Sequence, residues 1–472
     1  MIFAQTADDK FETMTQAPVR KLVCTLAVPT IISMMITSIY NMADTFFVSQ
    51  IGTSASGAVG VAFALMAIIQ AIGFTIGMGS GNYISRLLGQ KNAEYAKKVA
   101  ATGFFTALIL GFALSIIGLL LLDPLVYALG ATKTIAPYAR DYIRFILIGM
   151  PYMTSALVLN NIFRLQGSAF YAMLGITSGG ILNIALDPLF IFTLRMGTGG
   201  AALATIISQF VSFCILFFNS GRNGTIKIHF RQFTPKWEIY REILRGGMPS
   251  FYRQGFGSIS MVVLNFSAAP YGDAAIAAMS IVARVFQFAM SALVGFGQGF
   301  QPVCGFNYGA KRYDRVLEAF WFCVKISTVT LIVIAAVGFL IPREIMSVFR
   351  KGDLQVVATG ALAMRFQCIV FPLNGWVIIN NMLMQNIGKT TQASILSMSR
   401  QGVFLVPALL ILPRFFGLMG VQLSQPVSDI FTFAISIPLG ISILKEIKLK
   451  CQLEKQPDTE EIAEESVPCR QN

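Results

Sequence analysis

The sequence predicts an all-α integral membrane protein with twelve transmembrane helices in two six-helix bundles, related by a pseudo-two-fold axis along the membrane normal. Composition, the recurrence of long apolar runs and an internal repeat carry that expectation. Of the 472 residues 55% are apolar and only 12% charged, with a mean hydropathy of +0.67, whereas a soluble domain carries about 25% charged residues. Runs long enough to cross a hydrocarbon core, roughly 20 residues each, fall at 22–48, 57–84, 99–122, 142–163, 171–192 and 201–218. Six more follow at 247–270, 274–304, 319–341, 359–382, 393–412 and 420–444. The first 21 residues are polar, with Asp8, Asp9, Lys10 and Glu12 where a cleavable signal would need an apolar core, so span one is expected to serve as its own insertion signal.

The repeat appears on sliding the chain along itself by 220 residues. Pro29 then meets Pro249, Gly52 meets Gly272, Gly77 and Gly79 meet Gly297 and Gly299, and Gly89 and Lys91 meet Gly309 and Lys311. Asn160-Asn161 falls on Asn380-Asn381 at the same offset. Each unit holds an even number of spans, so the second copy enters the membrane in the same sense as the first, which makes parallel repeats. The predicted organisation is an N-terminal segment 1–21, an N-lobe 22–218, a linker 219–246, a C-lobe 247–444 and a tail 445–472.

The net charge of +13 does not point to nucleic acid, because the basic residues follow topology instead of forming one aromatic-laced patch. Arg86, Lys91, Lys97 and Lys98 follow span two; Arg222, Lys227, Arg231, Lys236, Arg241 and Arg245 fill the linker; Lys311, Arg312 and Arg315 follow span eight. The opposite loops hold fewer: Lys133, Arg140, Arg144, Arg195, Arg343, Arg350, Lys351 and Arg414. The positive-inside rule therefore places both termini in the cytoplasm. Seven cysteines without paired spacing read as small apolar residues. His229 stands alone in the basic linker, so no metal centre and no cofactor are expected. The 39 phenylalanines and 21 methionines suit an adaptable apolar cavity as well as lipid contact. The tail acids Glu454, Asp458, Glu460, Glu461, Glu464 and Glu465 read as solvated chain.

Acids inside spans carry the chemistry, since an ionised side chain at mid-bilayer costs roughly 2.5–3.5 kcal/mol on insertion scales. Asp44 lies late in span one, and Asp187 late in span five, four residues after Asn183 and so on the same helical face. Thr205 comes early in span six. Given the directions of these spans, all four fall at one depth and are expected to form one polar cluster. Two carboxyls sharing a low-dielectric site cannot both ionise cheaply, so at least one holds a proton or an alkali cation neutralises them. The duplicated half offers Leu264 opposite Asp44 and Val406 opposite Asp187, so this acidic site exists only in the N-lobe. Asp429, in span twelve, is open to two readings: contact with a cationic substrate, or pairing with Arg253, Arg284, Arg365 or Arg400. Pro29, Pro249, Pro372 and Pro407 lie inside spans and remove helix hydrogen bonds there.

Together, Pro29, the ADTFFVSQIG segment around Asp44, the NIALDPLFIF segment around Asp187 and the paired LGQK and YGAK turns resemble the multidrug and toxic compound extrusion (MATE) family over residues 15–450. PSFYRQG at 249–255 and QPVSD at 425–429 are most similar to its bacterial MepA-like branch. The resemblance implies alternating access between two lobes and export of cationic or aromatic drugs by a monomer in contact with membrane lipids, in exchange for protons, with sodium as the other candidate ion. It implies that Asp44, Asn183, Asp187 and Thr205 form the coupling site and that span one bends near Pro29. Some members carry sodium-binding carboxylates in spans seven and ten. Here Arg253 and Gln254 stand in span seven and no acid falls in 359–382, so a sodium site in the C-lobe is not expected. The rival is a flippase or exporter of lipid-linked intermediates of the same superfamily, which the arginines at 253, 284, 365 and 400 would suit. An integral-membrane enzyme would need clustered acids or histidines at one membrane face, and that pattern is missing.

Overall fold

The computed structural model describes residues 7–222, 226–349 and 353–455, and among these no β-strand occurs. Arg350, Lys351, Cys469 and the tail acids from Asp458 to Glu465 lie outside the described residues. A short helix α1 (Ala7–Gln16) precedes the N-lobe, which comprises α2 (Val19–Ser49), α3 (Thr53–Gly89), α4 (Ala93–Leu120), the short α5 (Leu122–Ala128), α6 (Ala136–Leu165), α7 (Ala169–Pro188) and α8 (Gly197–Phe218). The C-lobe repeats the pattern with α9 (Trp237–Ala268), α10 (Asp273–Gly309), α11 (Tyr313–Leu340), the short α12 (Pro342–Phe349), α13 (Leu354–Val370), α14 (Asn374–Asn386), α15 (Thr390–Met398), α16 (Leu405–Phe416) and α17 (Leu418–Lys455).

Two predicted spans are built from two pieces each. Span ten is α13 and α14, joined by a single 3-10 turn around Pro372, and span eleven is α15 and α16, joined by a π-helical turn over Ser399–Val403. Counting these as single spans gives twelve, eleven of which are long and apolar enough to cross a bilayer. The twelfth, α9, falls short because Arg253, Gln254 and the charged residues of its first turns sit within it.

Three boundaries differ from the sequence reading. Helix α9 begins at Trp237, inside the predicted linker, because Ile239 and Ile243 recur four apart and are buried in a cluster with Ile84, Val99 and Ile162 of the N-lobe. Helix α17 continues beyond 444 to Lys455. Residues 1–21, read only as a polar segment, contain α1, which straps the seam between the lobes. Lys10 donates to Ser168 and Lys91 lies over the Phe11 ring on the N-lobe side, while Asn307 and Arg315 donate to the Met14 and Ala17 carbonyls from the C-lobe. Pro29 does not interrupt α2, which runs through it as one helix, and the Pro29 carbonyl accepts a bond from Ser33 Oγ at 2.9 Å.

The lobes meet along α3 with α9, α2 with α10, and α3 with α10. The 220-residue repeat is visible in these crossings. Gly79 abuts the backbone of Ile243 and Gly247, and its counterpart Gly299 abuts Ala27, the counterpart of Gly247. Gly89 and Gly309, themselves one repeat apart, touch one another, so the pseudo-two-fold axis passes between them. Small residues at such crossings let membrane helices approach backbone to backbone. Farther along the seam Thr30 donates to the Gly295 carbonyl at 2.6 Å, and Ser38 and Ser291 share a bond of 2.8 Å.

Candidate coupling site in the N-lobe

Asp44 sits near the end of α2, and Asn183 and Asp187 occupy the last turns of α7, all three buried. Pro188 closes α7, and the chain then widens into a π-helical turn over Leu189–Thr193. Turns of this kind inside helices concentrate at functional positions. Asn183 Nδ2 donates to Asp187 Oδ1 at 3.3 Å and reaches Thr205 Oγ1 of α8 at 3.4 Å. The Thr205 hydroxyl itself donates to the Ala201 carbonyl at 3.1 Å.

Asp44 joins this cluster through a small cavity of about 20 Å³ that it shares with Tyr40, Asn41, Tyr142 and Thr205. Such a volume admits one water-sized occupant. The structure therefore brings together all four residues singled out from the sequence and adds two tyrosines. Tyr40 had a usable signal, standing four residues before Asp44 on the same face of α2. Tyr142 had none, because it reaches the cavity from α6, whose packing against α8 and α3 only the fold supplies.

Three buried oxygens in this cluster, Asp44 Oδ1, Asp187 Oδ2 and Asn183 Oδ1, have no hydrogen-bond donor among the described residues. Unpaired buried acceptors are costly, each by about 1–3 kcal/mol. Two carboxylates and one amide, each with an oxygen left unpaired in this cluster, make a site that a proton or a small oxygen-ligated cation would neutralise.

In the C-lobe Asp429 is paired with one of the four arginines. Arg400, placed by the π-helical turn of span eleven, donates Nε to Asp429 Oδ1 at 3.0 Å. Gln425 donates to the same oxygen at 3.0 Å, and Gln367 and Asn374 donate to Oδ2 at 2.7 and 3.2 Å. Arg284 and Arg365 do not take part; Arg365 lies instead over the Phe339 ring. Gln254 bridges the lobes by donating to Gln70 Oε1 of α3 at 3.1 Å. Removing one partner of a buried ion pair strands the other, at about 3–5 kcal/mol. Arg400→Met should lower stability by about that amount, and adding Asp429→Asn should restore most of it in thermal unfolding of the purified protein. A single substitution as mild as the double one would mean that the pair contributes nothing.

The family model named MatE matches residues 29–189 and, again, 249–410. The chain belongs to the MatE family. Its two matches begin 220 residues apart and fall one within each lobe, covering the first five spans of each and following the repeat. The multidrug export protein MepA of Staphylococcus haemolyticus (strain JCSC1435) is 27% identical over 429 residues, covering 89% of this chain and 93% of that protein. Among solved structures, an outward-facing conformation of a multidrug resistance MATE family transporter of the MOP superfamily superposes with a TM-score of 0.87 at 27% identity, covering 92% of this chain and 98% of the other. A MOP superfamily transporter from Pyrococcus furiosus, described as having a binding pocket of reversed polarity, superposes at 0.86 with 28% identity and the same coverage. This MATE chain thus shares with both structures its full two-lobed architecture.

Proposed function

We propose that this MATE protein exports aromatic cationic drugs from the bacterial cytoplasm by exchange for protons, with Asp44 and Asp187 as the coupling carboxyls. The observation that carries the reading is the cluster of donor-less buried oxygens on Asp44, Asp187 and Asn183. The pairing of Asp429 with Arg400 supports a single coupling site, since that carboxylate already has a permanent cation. The relatives that carry the name of multidrug export proteins support the substrate class.

In this cycle the cytoplasmic ends of the lobes are closed at the glycine crossings while the N-lobe acids face the outside. Protonation there removes the charge that holds a cationic drug, and the drug leaves. Return to the inward-facing state releases the proton into the cytoplasm and restores the negative site. Exchange of one proton for one monovalent cation moves no net charge, so the membrane potential contributes nothing and a pH difference drives the cycle at about 1.4 kcal/mol per unit.

The test is ethidium transport into inside-out proteoliposomes under separately imposed pH, sodium and potential gradients. Uptake driven by the pH gradient alone is the expected result. Uptake driven by sodium alone would replace the proton as the coupling ion. No movement of ethidium or of other cationic dyes would favour the export of lipid-linked intermediates instead.

A further inference from the structure

Arg253 is a charge that the coupling cycle leaves unused. It stands on α9 between the two lobes. Its sequence neighbour Gln254 bonds to Gln70 of the N-lobe. Phe256, Gly257 and Ser260, three, four and seven residues farther on and so on the face of Arg253, pack on the π-helical turn of span eleven: Phe256 against Gly402, Gly257 against Gln401, and Ser260 donating to the Gln401 carbonyl. The side chain is half-buried. Among the described residues its guanidinium has no hydrogen-bond or ion-pair partner.

The charged groups around it are of the same sign. Arg400 acts on it from the C-lobe and Arg164 of α6 from the N-lobe. Asp429 cannot serve it, because both carboxylate oxygens are already engaged by Arg400, Gln425, Gln367 and Asn374. Arg164 is held by neutral groups only, donating to Gln301 Oε1 at 2.8 Å and to Asn161 Oδ1. Three guanidiniums and one carboxylate therefore share this region. A desolvated cation without a counter-ion is expensive, and a planar guanidinium fork satisfies one carboxylate with two parallel bonds.

We propose that Arg253 is a carboxylate-binding residue of the transport cavity, so that the protein discriminates in favour of aromatic cations that also bear a carboxylate. The N-lobe acids attract the positive end of such a molecule and Arg253 fixes its negative end, which sets the orientation of the ring system between the lobes. The inference rests on the exporter reading and adds to it a residue that tells substrates of one shape apart by charge.

Rhodamine 110 and rhodamine 123 make the matched probes, since the second is the methyl ester of the first and differs only in lacking the free carboxylate. Fluorescence anisotropy with the purified full chain in nanodiscs should show both dyes binding. Arg253→Gln should weaken rhodamine 110 by about tenfold, the worth of one charge-assisted contact near 1.4 kcal/mol, and leave rhodamine 123 essentially unchanged. Arg253→Lys, which keeps the charge without the fork, should lie between. In the wild-type protein excess benzoate should displace rhodamine 110 and not rhodamine 123, a readout that needs no variant to fold. Equal loss of both dyes in Arg253→Gln, no loss of either, or wild-type binding of rhodamine 123 alone would each overturn the inference while leaving the exporter intact. Failure of both dyes to bind the wild type would remove the exporter reading itself, and the inference with it.

Discussion

Asp187→Asn is expected to reduce proton-driven ethidium transport to the leak rate of protein-free liposomes while the protein folds as well as the wild type or better. The carboxylate is fully buried, and its Oδ2 has no donor among the described residues. Asparagine keeps the shape and keeps an acceptor for Asn183 Nδ2, whose bond to Oδ1 measures 3.3 Å. It removes an ionisable group from a site where charge is costly, so unfolding free energy should stay level or rise by about 1 kcal/mol. What it cannot do is take up and release a proton. Stability and transport therefore move in different directions, and a damaged fold cannot account for that combination.

The same substitution separates binding from coupling. In the wild type, protons and a cationic dye compete for one pair of carboxyls, so ethidium affinity should weaken as pH falls. In Asp187→Asn the dependence should flatten, because Asp44 alone faces no second carboxyl whose charge it must avoid. Equilibrium dye binding between pH 5 and 9, set beside transport by the same preparation, checks both statements. Proton-driven transport that persists in Asp187→Asn would remove this residue from the coupling step and leave Asp44 to carry it. Asp44→Asn is the natural companion: it lines the 20 Å³ cavity with Tyr142 and Thr205 and should show the same loss.

The sequence made the N-lobe site legible because each of its members carries a signal that does not depend on neighbours. An acid in an apolar span is conspicuous, and Asn183 and Asp187 announce a common face by their spacing of four. Thr205 became visible through depth alone, since span directions follow from the count of crossings. The remainder needed the fold. Asp429 had four arginines to choose from, and the choice of Arg400 depends on a π-helical turn that no local pattern in SRQGV declares. Helix α1 was missed for a related reason: ten polar-rich residues look solvated until Met14 and Phe11 are seen against the inter-lobe seam. The glycines were legible as a repeat but not as a crossing, because a glycine that admits another backbone and one that faces open space read alike.

That last distinction yields the second large effect. A Cβ built on Gly79 would collide with the Ile243 carbonyl and approach the Gly247 amide, both backbone groups of the opposite lobe, whereas one on Gly60 of the same helix meets nothing within 4 Å. Backbone cannot rotate aside as a side chain can, so Gly79→Val should exclude the arrangement in which α3 and α9 cross, while an arrangement with these ends apart accommodates it. A two-state equilibrium moves from 1:99 to 99:1 for about 5.5 kcal/mol, and a clash against the α9 backbone readily supplies energy of that order. Transport should therefore stop, not slow, with the lobes held apart at the end that carries α1 and the linker. Spin labels replacing Glu94 and Asp314, exposed positions one repeat apart on the two lobes, report this directly in a cysteine-free background. The distance between them should lengthen in Gly79→Val and stay at the wild-type value in Gly60→Ala, which should also keep its transport. An unchanged distance with transport intact in Gly79→Val would mean that α3 and α9 can slide past one another, and that the glycine crossing is not what closes the two lobes together.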